Sequence, residues 1–218
     1  MTTEDILAIS KEIVKEKGFL DLSDRKMIWK SLGEFCYEDG RNYYDIINPS
    51  TKRVTIPLKK RVRLGEICVE KVLHLWDTKT NNDPKPKNLL KLINSYLYGK
   101  TSGETLYNEC ESFAGFWYVD VQDYDELYSM SAYTTTRLAY RALLDESFIG
   151  REYDDCTKDV DMDEAWDADY TASLAYSLCL ENLGEWDKEK RREFWLWYIN
   201  DAVPQVLNTK DWSTPKEW

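Results

Sequence analysis

Residues 191–204 read RREFWLWYINDAVP. Phe194, Trp195, Trp197, Tyr198 and Ile199 fall within six residues of an otherwise hydrophilic chain. On a helix capped at Asp187 and running to Val203, Phe194, Trp197 and Tyr198 share one face, and Trp195, Ile199 and Ala202 the next. Leu196 and Val203 extend the apolar surface to a third side, leaving a narrow polar strip at Glu193, Asn200 and Asp201. A helix that is apolar around most of its circumference belongs in an interior. The stretch therefore predicts a core helix anchored by Trp195 and Trp197 and stopped by Pro204. Buried indole and phenol tips need hydrogen-bond partners, which nearby acids can supply.

Helical periodicity extends from this stretch over most of the chain. Ile6, Leu7, Ile9, Ile13 and Val14 form a stripe closed by Gly18. Ser23 is placed to cap a second helix through Met27, Ile28, Leu32, Phe35 and Cys36. Residues 58–76 read as a third, with Leu64, Ile67, Cys68, Val72, Leu75 and Trp76 inward. Further helices are expected over 88–98, 103–118, 124–145, 164–182 and 188–203. The exception is 38–56, whose Gly40 and Asn48-Pro49-Ser50 mark a long loop, and whose RVTIP is the sole β-like fragment. The fold class is thus all-α, a compact bundle of about seven to eight helices, with room for one short β-hairpin near 40–57. DTKTNNDPKPK (77–87) is the best candidate hinge. Because helix 88–98 alone could not bury Leu90, Ile93 and Leu97, we expect one helical domain over 1–207 and a flexible tail over 208–218.

Composition narrows the function. The chain has 218 residues, 43% hydrophobic, with nine Trp and fifteen Tyr, enough for a packed core. No apolar run approaches the ~18–20 residues of a bilayer span, and MTTEDILAISKEIV has no basic, apolar leader; both point to the cytoplasm. The five cysteines are odd in number and lack a CxxC pair, so they read as buried free thiols. The net charge of −11 is uneven: residues 1–109 hold 19 Lys/Arg against 16 Asp/Glu, and residues 110–218 hold 10 against 24. Such an acidic half repels nucleic acid and anionic membrane and suits a basic protein. The basic cluster Lys59-Lys60-Arg61-Val62-Arg63 reads as a solvated helix flank or a phosphate patch.

Few enzyme chemistries survive. The single histidine, His74, closes multi-His zinc sites and HExxH, and no Walker A or glycine-rich phosphate loop is present. In REYDDCTKDVDMDEAWDAD (151–169), Asp159, Asp161, Asp163 and Asp167 match positions 1, 3, 5 and 9 of an EF-hand loop. Glu164 stands where glycine is required and Tyr170 where a bidentate Glu is required, so the match breaks. No metal or cofactor is expected. The run is either a solvated loop leading into a helix or a docking surface for a basic partner.

The C-terminal arrangement is an Asp-rich lead-in, AWDADYTASLAYS (165–177), Trp186, then Arg191-Arg192-Glu193-Phe194-Trp195-Leu196-Trp197-Tyr198 and Ala202-Val203-Pro204. It resembles an all-α family of immunity proteins from bacterial polymorphic toxin systems, the family numbered five. LSDRKMIWKSLG (22–33) resembles that family's N-terminal helix, through Arg25, Trp29 and Leu32. The resemblance implies a non-enzymatic protein that binds a cognate toxin domain and silences it in the producing cell. From the acidic half we expect a basic toxin surface such as a nuclease active site, and we expect a monomer or weak homo-oligomer. The aromatic motif (Arg25, Trp29, Trp186, Arg191, Arg192, Phe194, Trp195, Trp197, Pro204) then serves the fold. The expected partner contacts are Asp154, Asp155, Asp159, Asp161, Asp163, Glu164 and Asp167. An acidic adaptor with no toxin partner, or a carboxylate-based hydrolase, are the rival readings.

Overall fold

The computed structural model describes residues 1–35, 54–80, 82–120, 126–145, 167–178 and 187–216. They form α1 (Thr3–Lys17), α2 (Leu22–Ser31), α3 (Ile56–Thr80), α4 (Lys85–Leu97), α5 (Gly103–Asp120), α6 (Glu126–Leu144), α7 (Ala168–Ser177) and α8 (Lys188–Trp197). A π-helical turn, Tyr198–Ala202, joins α8 to α9 (Val203–Asn208) in one continuous rod. No strand or sheet occurs among the described residues, and the fold is all-α.

Local chemistry sets the boundaries. The Thr2 side chain accepts from the Asp5 N–H while Asp5 reaches back to the Thr2 N–H, so two otherwise orphaned donors are met at the start of α1. Asp21 and Asp24 repeat the device on α2; the cap therefore lies two residues before the expected Ser23. Ile56 and Pro57 belong to the first turn of α3, where a missing N–H costs nothing. That corrects the β reading of RVTIP, whose end is helical; the rest of the proposed hairpin, up to Arg53, lies outside the described residues.

Two hydrophobic cores share α3. Leu64, Ile67, Cys68 and Val72 point into the first, with α1, α2, α7, α8, the π turn and α9. Leu58, Val62, Val69, Leu73 and Trp76 point into the second, with α4, α5 and α6. A helix buried on two sides replaces the single inward stripe that the sequence suggested. Gly65 makes this possible where α3 crosses α6: a Cβ there would lie 2.6 Å from Leu138 Cδ1 and 3.1 Å from Arg141 Nη1. At Gly33, φ is +127° and a Cβ would meet Pro57 Cγ at 2.6 Å, so α2 can end directly against the start of α3.

Segments 77–80 and 85–87 of the candidate hinge are helical. Trp76 Nε1 donates to the Asp83 carbonyl at 3.1 Å, and Lys87 pairs with Asp77 at 2.7 Å, across the connection. The described residues after α9, up to 216, run back over α3. Trp212 packs against the first core, its carbonyl accepts from Lys59 Nζ, and Lys216 pairs with Glu70. Pro204 does not stop the rod. The Val203 N–H bonds to the Tyr198 carbonyl, five residues back, and this widened turn admits the proline ring that a plain α-helix would exclude. No helix among the described residues is long and apolar enough to cross a membrane.

Candidate functional site

The chemistry of this fold concentrates where the two cores meet, around the start of α7. ADYTASLAYS carries one charge in ten residues, is buried on nearly all sides, and leaves Asp169 without solvent. Asp167 caps the helix, its Oδ1 accepting from the Asp169 and Tyr170 N–H groups at 2.9 and 3.0 Å. Its Oδ2 accepts from Arg25 Nε at 2.8 Å, and Arg141 Nη2 stands 3.4 Å from its Oδ1. Asp169 accepts from Arg141 Nη1 at 2.7 Å, Trp29 Nε1 at 2.9 Å and Tyr198 Oη at 2.7 Å. Two aspartates and two arginines from α2, α6 and α7, all at most 2% exposed, thus make a neutral cluster.

Burial dominates its electrostatics. Desolvation pushes the Asp167 carboxyl up against the pull of Arg25 and Arg141. It also raises the Cys68 thiol and the Tyr198 phenol well above their ordinary values, helped by the charge of Asp169. A thiol and phenol kept protonated and sealed from water are poor nucleophiles. Cys110, the other free thiol described, is pushed to about 12 by burial. The grooves lined by described residues open elsewhere. One of about 500 Å³ runs between α4 and α5 past Leu89, Leu92 and Phe113. Another of about 540 Å³ follows the outer face of α8 past Leu196, Trp197 and Asn200. The cluster therefore acts as a clamp joining helices distant in sequence; breaking one partner of such a pair costs about 3–5 kcal/mol.

A second clamp corrects the reading of the basic cluster 59–63. Arg61 is fully buried and grips Asp145 with a two-pronged pair, Nε to Oδ1 at 2.7 Å and Nη2 to Oδ2 at 2.8 Å. Its remaining donors reach the Gly33 and Glu34 carbonyls, and Phe35 lies 4.4 Å from its guanidinium. Asp145 takes a positive φ of 45° just after α6, a conformation that short polar side chains tolerate. Lys59 and Arg63 remain half-buried beside it, and Arg63 pairs with Glu66. Arg61 spends its donors internally and is therefore not part of a solvated flank or a phosphate patch.

Asp167 is the expected partner contact that the structure relocates: it is inside, 2% exposed, holding Arg25. Asp154, Asp155, Asp159, Asp161, Asp163 and Glu164 lie outside the described residues, as does Trp186. The remaining motif residues are placed. Arg25, Trp29, Phe194 and Trp195 are buried, whereas Arg191, Arg192, Trp197 and Pro204 are half-buried. Trp197 is therefore not a sealed anchor; Lys71 Nζ lies 4.8 Å from its ring. Trp195 stacks edge-on against Phe194 and Tyr198 at 5.3 Å, and its Nε1 finds no acceptor. His74 is exposed on α3. Sequence reasoning missed Arg61, Arg141, Asp145 and Asp169 as network members.

Of the motif residues, Arg25 and Trp29 belong to this clamp, and the fit of the motif to a known family is a matter of sequence. The family profile described as "Immunity protein Imm5" matches residues 7–205. The chain belongs to the Imm5 immunity protein family. The match spans both cores, from α1 into α9, so Arg25, Trp29 and the aromatic knot all lie within the Imm5 region. No curated protein matches the sequence. Membership makes the chain an immunity protein, and Imm5 as a family label implies a toxin protein as its partner.

Proposed function

We propose that the protein neutralises one cognate toxin domain in the producing cell by tight protein–protein occlusion, without catalysis. The observation that carries this reading is the Imm5 match over 7–205. Among the described residues the buried charges form neutral structural clamps, which serve the fold. The toxin surface it covers is basic, as in a nuclease active site where carboxylates stand in for the phosphates of the substrate. The contacts come from Asp154, Asp155, Asp159, Asp161, Asp163 and Glu164, with Asp167 kept for the fold. The excess of 24 acids over 10 basic residues in 110–218 supports that choice.

The test is co-expression with the toxin domain encoded beside the gene, scored by cell survival. Survival only in the presence of this chain is expected; death in both cases removes the proposal. Charge reversal of Asp159, Asp161 and Asp163 together should abolish protection while leaving the helical circular dichroism intact. Unchanged protection would move the interface elsewhere. Asp167 is left out because its loss would take from buried Arg25 the carboxylate it is paired with.

A further inference from the structure

Arg191 sits at the edge of the first core, where α8 meets the residues that follow α1. Its guanidinium carbon lies 4.7 Å from the centre of the Phe19 ring and 5.2 Å from that of Tyr170. Arg25 lies against the same Tyr170 ring at 4.9 Å. One phenol ring thus carries two guanidiniums, and they differ: Arg25 is ion-paired with Asp167, whereas Arg191 has no carboxylate or carbonyl acceptor among the described residues. Its Nε is buried and unmet. Every other described arginine donates to an oxygen, namely Arg25, Arg61, Arg63, Arg137, Arg141 and Arg192.

An unmatched guanidinium held against aromatic rings is costly for the fold and useful for binding. The rings fix a side chain whose rotamer freedom otherwise opposes association, and the planar fork matches a carboxylate with two parallel hydrogen bonds. Half-burial leaves the fork in reach of solvent while lowering the local dielectric. The local sequence DKEKRRE (187–193) holds four basic residues against three acids, a net of +1 within the acidic half of the chain. We infer that Arg191 is a preformed anchor for an Asp or Glu side chain of the protein partner, a second contact of opposite sign to the acidic one. A protein carboxylate is favoured over nucleic acid because a chain of net charge −11 repels a polyanion. This inference rests on the toxin-binding reading above.

The experiment is titration of the full chain with the neighbouring toxin domain, inactivated in its own active site, by calorimetry or surface plasmon resonance. Arg191→Met keeps an unbranched stem over the rings and removes the fork. It should keep the native circular dichroism and melting temperature and weaken binding at least about 30-fold, the size of an interface hot spot. Arg191→Lys keeps the charge and loses the planar fork, and should lose about 5- to 10-fold. Native-like binding by both variants overturns the inference and leaves the toxin-binding reading standing. Absence of binding by the unmodified chain removes that reading instead, and this inference with it. If Arg191→Met unfolds, Arg191→Lys decides alone: unchanged affinity overturns the anchor. Oligonucleotide binding that Arg191→Met abolishes, with toxin affinity unchanged, also overturns it.

Discussion

The two cores that share α3 are assembled by different physics. The second, between α3, α4, α5 and α6, is mainly aliphatic: Leu58, Val62, Leu90, Ile93, Leu106, Leu138 and Leu143 fill it beside Trp76, Tyr96 and Phe113. Its cohesion is non-directional and scales with the area buried. The first is built around Trp29, Tyr170, Phe194, Trp195 and Tyr198, and two of its polar tips converge on one carboxylate, Asp169. Hydrogen bonds of this kind fix angle as well as distance, so the first core specifies how α2, α6, α7 and α8 meet. The contrast teaches that a clamp of paired charges tolerates little loss, whereas an aliphatic core gives way by degrees.

The sharpest way to break the comparison is Asp169→Ala. It removes the shorter of the two carboxylate pairs of Arg141 and leaves the Trp29 and Tyr198 donors unmet, so it should cost upward of about 4 kcal/mol. Urea denaturation and near-ultraviolet circular dichroism would read it; a loss below about 1.5 kcal/mol would show that the network is dispensable. Trp195→Ala comes next, at about 3–5 kcal/mol, since its indole is fully buried and touches two other rings. Leu90→Ala in the second core should cost about 2–4 kcal/mol and leave the aromatic dichroism of the first core unchanged. If it erases that signal, the two cores are one cooperative structure and the distinction fails.

The smallest expected effect sharpens the electrostatic side of the comparison. At the start of α2, burial and the neighbouring charge of Asp21 raise Asp24 to about 6. For Asp21, burial acts upward but hydrogen bonds from Ser23, the Asp24 N–H and Lys17 prevail, holding it at about 2. Asp24 therefore binds its proton more tightly folded than unfolded, and its ionisation weakens the fold as pH rises from about 4 through about 6. Asp21 contributes stability above about pH 4 that is lost as pH falls toward about 2. Asp24→Asn keeps an acceptor for the Asp21 N–H and removes the raised charge. It should gain under about 1 kcal/mol at pH 7.5 and nothing below pH 4, followed by melting temperature against pH. An equal gain at both ends would show that charge is not the cause.

Much of this was legible in the chain. Apolar residues spaced by three and four gave the helices, and the RREFWLWY density gave the core. What escaped is the pairing of distant charges. Arg61 sits in KKRVR, where its charged neighbours remain half-buried, and only the arrival of Asp145, 84 positions away, shows that it is inside. Asp167 belongs by composition to an acidic run, and only Arg25, 142 positions away, takes it out of solvent. A usable signal existed for Asp169: a lone acid within ADYTASLAYS must be paired if that helix is buried all round. The acidic run itself remains a matter of sequence, since its first six candidate contacts lie outside the described residues.

The π turn has one more consequence. The buried residues of the last rod are Phe194, Tyr198, Ala202 and Val206, with Trp195, Ile199 and Val203 beside them: a repeat of four. An α-helix of about 3.6 residues per turn lets such a repeat slip by about 40° at each turn, or about 120° over three repeats. The i→i+5 turn takes up one extra residue, about 100° of rotation, and cancels most of that drift. It works as a phase corrector, keeping a single apolar seam from Phe194 to Val206 aimed at the same core. Were the same residues wound as an ordinary α-helix, Val203 and Val206 would swing by about 100° away from α3, whereas deleting one residue within 198–202 would remove the turn and leave both facing the core.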